Sequence, residues 1–148
     1  MDIKTQLNES VKDAMKSGDE VRKRALRMAL AAIKQVEVDK RAALEDAAVI
    51  SILQKEIKNR REAIEEAKKA NRPDLIADNE AEIKALEAFL PHAMPVEELR
   101  VLIQSAIAET GAAAPGDMGK VMKAVMPRVA GRAPNDLVSS IARELLAG

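Results

Sequence analysis

The chain has 148 residues, with 24 basic and 24 acidic side chains and a formal net charge of zero. That length suits one domain, or one domain with a small appendage, and 47% hydrophobic with 32% charged residues is the balance of a soluble globular protein. The lack of cysteine excludes disulfides, thiolate metal sites and cysteine nucleophiles, and a single histidine, His92, excludes multi-histidine metal centres. The one aromatic residue, Phe89, argues against modules that stack successive bases on aromatic platforms.

Helical periodicity recurs along the chain and strand-like alternation is nearly absent, so the expected fold class is all-α. A first helix is expected over Asp2–Ser17, with Ile3, Leu7, Val11 and Met15 as its apolar stripe and Gly18 as its stop. Asp19 can cap a second helix carrying Leu26, Leu30, Ile33 and Val36, whose pattern fades near Val38 to Arg41. A third is expected from about Asp46, with Ile50, Leu53, Ile57, Ile64 and Ala67 inward. Its charged outer face runs from Lys55 to Lys69 and includes Glu56, Arg60 and Arg61. Pro73 suits the first turn of a fourth helix, with Leu75, Asn79, Ile83, Leu86 and Leu90 on the helical period.

Pro91-His92-Ala93-Met94-Pro95 is the clearest boundary. The expected organisation is an N-terminal helical domain of about four helices over 1–90, a proline-bounded linker over 91–95 and a C-terminal three-helix domain over 96–148. The first C-terminal helix should run from about Pro95 to Thr110, with Val96, Leu99, Leu102, Ile103 and Ile107 inward and Gly111 as its stop. The second, capped by Asp117, carries Met118, Val121, Met122, Val125 and Met126 within an arc of about 140°. Pro127 to Pro134 reads as a turn, and Pro134 to Leu146 as the last helix, with Leu137, Val138, Ile141 and Leu145 inward.

Net neutrality hides a charge pattern. Arg22, Lys23, Arg24, Arg27, Lys34, Lys40 and Arg41 face only Glu37 and Asp39 in their stretch, whereas Asp74 to Glu98 holds seven acids and one base, Lys84. These stretches can be mutually attracting helix faces, or the basic one (Arg22, Lys23, Arg27, Lys34, Lys40, Arg41) can bind anions. Lys120, Lys123, Arg128 and Arg132 form a tighter cluster between Asp117 and Asp136. The two lysines should project away from the methionines, and Arg128 and Arg132 should sit on the following turn, where a guanidinium can reach a phosphate bidentately. Gly119 lies near a helix N-terminus, where close approach of an anion or close helix packing would each explain a glycine. Gly131 suits a left-handed turn.

The inventory for autonomous catalysis is thin. Ser10, Ser17, Ser51, Ser105, Ser139 and Ser140 stand outside any nucleophile-elbow motif. His92 has no carboxylate partner evident in sequence, and neither a phosphate loop nor a dinucleotide fingerprint occurs. No catalytic residue, metal or cofactor is expected. Met1–Thr5 lacks the basic-then-apolar pattern of a signal peptide, and no apolar run approaches the roughly 18 residues of a membrane span. The expected location is the cytoplasm.

Glu109-Thr110-Gly111-Ala112, Asp117-Met118-Gly119-Lys120-Val121-Met122-Lys123-Ala124-Val125-Met126-Pro127 and Gly131-Arg132-Ala133 resemble the signature of the GatB/YqeY proteins. Leu26-Arg27-Met28, Ala32-Ile33-Lys34, Val38-Asp39-Lys40-Arg41, Leu53 to Lys58 with Arg60-Arg61, and Glu87 to Pro91 extend the resemblance over essentially the whole chain. Pro134-Asn135-Asp136 departs from it, where an Asp-Gly type turn would be expected. The resemblance implies an all-helical protein whose C-terminal part is similar to the mobile tail of the B subunit of tRNA-dependent amidotransferases, which contacts the tRNA elbow. It also implies the family label of a carbon–nitrogen ligase with glutamine as amido donor, although the chain lacks that subunit's catalytic body. A tRNA-binding accessory factor is therefore expected, contacting tRNA or another structured RNA through Lys120, Lys123, Arg128, Arg132, Gly119 and Gly131. An amidotransferase or an aminoacyl-tRNA synthetase is a possible protein partner. The alternative is a helical protein-interaction module without nucleic-acid binding.

Overall fold

The computed structural model describes residues 2–147, and these form seven α-helices and no strand. In chain order they are α1 (Ile3–Ser17), α2 (Glu20–Lys40), α3 (Asp46–Lys69), α4 (Pro73–Glu87), α5 (Val96–Thr110), α6 (Met118–Val129) and α7 (Asn135–Ala147), with a short 3-10 turn at Pro115–Asp117. The helices fall into two compact units, Met1–Leu90 and Pro91–Gly148.

In the first unit α1 packs on α2, α3 on α4, and α4 also on α2. Leu7, Leu26, Ile33, Val49, Leu53 and Leu86 are fully buried at its centre. Local chemistry sets the helix limits. Asp2 accepts the Thr5 N–H and Asp19 the Arg22 N–H, satisfying donors that a helix leaves open at its start. Gly18 closes α1 with φ of 74°, a left-handed conformation in which an L side chain is strained. Asp46 accepts the Ile3 N–H at 3.1 Å, tying the start of α3 to that of α1.

Some expected inward positions lie elsewhere. Met15 is exposed, and Ala14 takes its place in the core. Successive i, i+4 steps rotate about 40° each, so a four-member stripe drifts off the buried face. Val96 and Leu75 are exposed too: Leu99 is inward as expected, and Ile76 rather than Leu75 packs against the core. Leu90 lies beyond α4, which ends at Glu87 in i→i+3 turns, because the residue before a proline disfavours helix. Arg60 is not on the outer face of α3: it falls in line with Leu53, Ile57, Ile64 and Ala67 and is buried with them.

In the second unit α5, α6 and α7 each pack against the other two. Leu99, Ile103, Val121, Val125, Val129 and Val138 form the core, with Met118, Met122 and Met126 partly buried against it. Residues 91–95 carry no helix, yet Met94 is buried in this core and its N–H bonds the Arg132 carbonyl at 2.8 Å.

Candidate nucleic-acid interface

α6 carries most of the expected site. Its buried line is Val121, Val125 and Val129. At 100° per residue the opposite side holds Gly119, Lys120, Lys123 and Pro127, all exposed. Among the described residues, no carboxylate lies within ion-pair distance of either lysine. A Cβ built on Gly119 meets nothing within 4 Å, so helix packing does not account for that glycine.

Asp117 occupies the cap position of α6 without capping it. Its carboxylate turns back to accept the N–H groups of Ala113 (3.0 Å) and Ala114 (3.3 Å). These two hydrogen bonds, with a smaller contribution from the Lys120 charge, hold the Asp117 carboxyl below the usual carboxylate range.

The two arginines depart from expectation. Pro127 does not begin a turn: α6 continues through it to Val129, and Arg128 is helical. Proline removes one N–H and crowds the preceding turn, and so near the helix end only one ladder bond is lost. The chain turns at Ala130 and Gly131, both left-handed with φ of 50° and 80°. Arg128 lies on the flank of α6 and pairs with Glu109 of α5. That contact lowers the Glu109 carboxyl and raises the Arg128 guanidinium from their ordinary values. Arg132 donates through Nε to the His92 carbonyl (3.0 Å) and through a terminal nitrogen to Glu98 Oε1 (3.4 Å). The cluster thus divides into two lysines facing outward and two arginines already paired with acids.

The secondary basic face of α2 divides similarly. Lys23 pairs with Glu20 at 2.7 Å, and Arg27 donates to the Met15 sulfur at 3.5 Å. Arg24 bridges to Glu82 (3.1 Å) and Asp78 (3.9 Å) of α4, so mutual attraction of the basic and acidic stretches accounts for that residue. Lys34, Lys40 and Arg41 stay exposed at the far end of α2, while Arg22 is half-buried at its start. Lys34 and Arg41 flank a shallow groove with Lys4, whose ammonium is held 2.7 Å from Glu37.

Sequence reasoning missed the buried polar pair Arg60 and Glu82. The available signal was a charged residue at a position the apolar stripe predicts to be inward. Among the described residues no group of three or more His, Cys, Asp or Glu could hold a metal ion, and no helix is long and apolar enough to cross a membrane.

A family profile described as Yqey-like protein matches residues 4–146. A protein of Lachancea thermotolerans named Altered inheritance of mitochondria protein 41, mitochondrial, is 34% identical over 61% of this chain and 49% of its own length. The protein of the same name from Eremothecium gossypii is 33% identical over 64% of this chain and 52% of its own length. A Schizosaccharomyces pombe protein labelled uncharacterized is 35% identical over 53% of this chain and 64% of its own length. The chain therefore spans about half the length of the mitochondrial relatives it matches.

Proposed function

The chain belongs to the YqeY-like protein family, and from that premise we propose that it is an accessory factor that binds tRNA or another structured RNA through the outer face of α6. One observation carries this reading: Lys120 and Lys123 project together beside the open Gly119, with no carboxylate in ion-pair distance among the described residues. A surface that reads RNA by shape needs cations aimed at phosphates rather than aromatic platforms. Arg128 and Arg132 join by exchanging Glu109 and Glu98 for phosphate, and Lys34, Lys40 and Arg41 supply a further basic surface on the first unit. The kinship with glutamine-dependent tRNA amidotransferase, a carbon–nitrogen ligase, is part of this proposal. So are a synthetase or amidotransferase partner and a cytoplasmic site of action.

The test is retention of bulk tRNA by the purified protein at two salt concentrations. A variant with Lys120, Lys123, Arg128 and Arg132 all changed to Ala is measured beside it. Salt-dependent binding that the variant loses is the expected outcome. Absence of binding at low salt sinks the RNA reading. The pairing of Arg128 and Arg132 with acids favours a second reading, a helical protein-interaction module. A partner held without salt dependence, together with no RNA affinity, would select it.

A further inference from the structure

A groove of about 520 Å³ opens on the first unit, lined by Ser10 of α1, by Asp19, Val21 and Arg22 at the start of α2, by Ala81, Lys84 and Ala85 of α4, and by Ala88 and Phe89 just beyond it. Most of its wall is apolar: Val21, Ala81, Ala85, Ala88 and Phe89. Arg22 and Lys84 are the two cations that line it. Its volume falls within the roughly 300–1,000 Å³ of small-ligand sites, and one side of it is open to solvent.

The charges are unusual for this unit. Lys84 is the one base in the acidic stretch from Asp74 to Glu98. Arg22 sits two residues from Arg24, which bridges to α4. Neither Arg22 nor Lys84 has a carboxylate within ion-pair distance among the described residues, although Glu80 and Glu87 lie one turn from Lys84 on the same helix. Glu87 is instead held by Arg61 at 3.1 Å. Asp19 is the one acid in the groove, and its Oδ1 is occupied by the Arg22 N–H at 3.1 Å. Its other oxygen remains to accept from a hydroxyl or an amine.

We propose that this groove binds a nucleoside monophosphate, with the phosphate between Arg22 and Lys84 and the base against Phe89 and the alanines of α4. A guanidinium and an ammonium together match a phosphate dianion. Asp19 and Ser10 suit the hydroxyl groups of a sugar. A single aromatic is too few to read a strand, but it serves one base. The proposal concerns the first unit and is independent of the RNA reading of α6. The same chemistry can come from a free nucleotide or from the 5′-phosphorylated end of a strand.

Amide NMR titration of the whole protein tests it, with AMP, adenosine, inorganic phosphate and a 5′-phosphorylated RNA tetranucleotide as separate probes. AMP should shift resonances of residues 10, 19–22 and 81–89, with adenosine and inorganic phosphate each about ten-fold weaker or more. Tighter binding of the tetranucleotide assigns the site to a strand end, and weaker binding to a free nucleotide. The Arg22→Ala, Lys84→Ala double variant should lose at least about ten-fold in AMP affinity. Phe89→Leu, which keeps aliphatic packing, should bring AMP down toward inorganic phosphate. Thermal melting confirms that both variants are folded. No AMP binding overturns the proposal, as do shifts elsewhere, equal binding of AMP and inorganic phosphate, or full AMP affinity in the double variant.

Discussion

Arg60 Nε lies 3.5 Å from Glu82 Oε2 inside the first unit, yet it forms no hydrogen bond. The pair belongs to a chain of four charges across three helices. Arg24 of α2 donates to Glu82 of α4 at 3.1 Å, and Arg60 of α3 donates to both the carboxylate and the carbonyl of Glu56 at 2.9 Å. The Met28 sulfur covers the remaining guanidinium nitrogen at 3.7 Å. Apart from Asp78, which reaches Arg24 at 3.9 Å on the exposed side, two guanidiniums and two carboxylates balance, and this balance makes burial of Arg60 and Glu82 tolerable.

Removing one partner is therefore costlier than removing both. Glu82→Ala should lower unfolding free energy by about 3 kcal/mol, because Arg60 and Arg24 lose the carboxylate they share and the buried Arg60 keeps only Glu56 as counter-charge. The double variant Arg60→Met, Glu82→Leu should recover most of that loss. Urea denaturation of the three proteins decides it, and equal losses in the single and double variants would refute the account.

Glu37 should govern part of the acid limb of stability. The Lys4 ammonium at 2.7 Å, then the Leu44 N–H at 2.9 Å, hold its carboxyl below the ordinary carboxylate value. A carboxyl lowered by folding stabilises the native state above the ordinary carboxylate range, and that contribution disappears as pH falls through the lowered value. The window lies between about pH 5 and about pH 2. Glu37→Gln should be less stable than the parent at neutral pH and should converge with it in acid. Denaturant midpoints measured across that range give the comparison.

On α6, lysines and arginines should differ in RNA affinity. Lys120→Ala with Lys123→Ala should reduce the salt slope of tRNA binding by roughly 2, about one per phosphate contact. Arg128→Ala should cost less, since Arg128 already pairs with Glu109. Glu109→Gln should strengthen binding, because it releases that guanidinium and removes a negative charge. Weaker binding by Glu109→Gln would count against phosphate contact on this flank.

Gly119→Ala separates stability from binding. The space around Gly119 is open, so the substitution should raise stability by about 0.5–1 kcal/mol through helix propensity. RNA affinity should fall if a phosphate approaches the backbone there. Gly18→Ala should destabilise instead, since φ of 74° strains any L side chain. Thermal melts and tRNA retention report the two effects separately.

The helix order was legible because glycine, proline and aspartate mark the ends and apolar residues recur at helical spacing. Gly18, Asp19, Pro73 and Gly111 act where periodicity and capping place them. Less legible were positions where a stripe meets a charge. Arg60 and Glu82 look like surface residues by type, and only their place on the inward line betrays burial. The pairing of Arg128 with Glu109 and of Arg132 with Glu98 spans 19 and 34 residues, a separation no local pattern reports. Pro127 misled for a related reason. Proline usually ends a helix, but packing of Val125 and Val129 carries α6 two residues past it.

Two hydrogen bonds, one from the Met94 N–H to the Arg132 carbonyl and one from Arg132 Nε to the His92 carbonyl, bear on where the chain can be cut. A fragment beginning at Val96 would leave a hole where Met94 was buried and would deprive the Arg132 carbonyl and Nε of the partners they have in the whole protein. One beginning at Pro91 keeps the clasp closed. A piece of this protein that carries α6 in its native setting therefore has to start at least four residues before the first helix it contains.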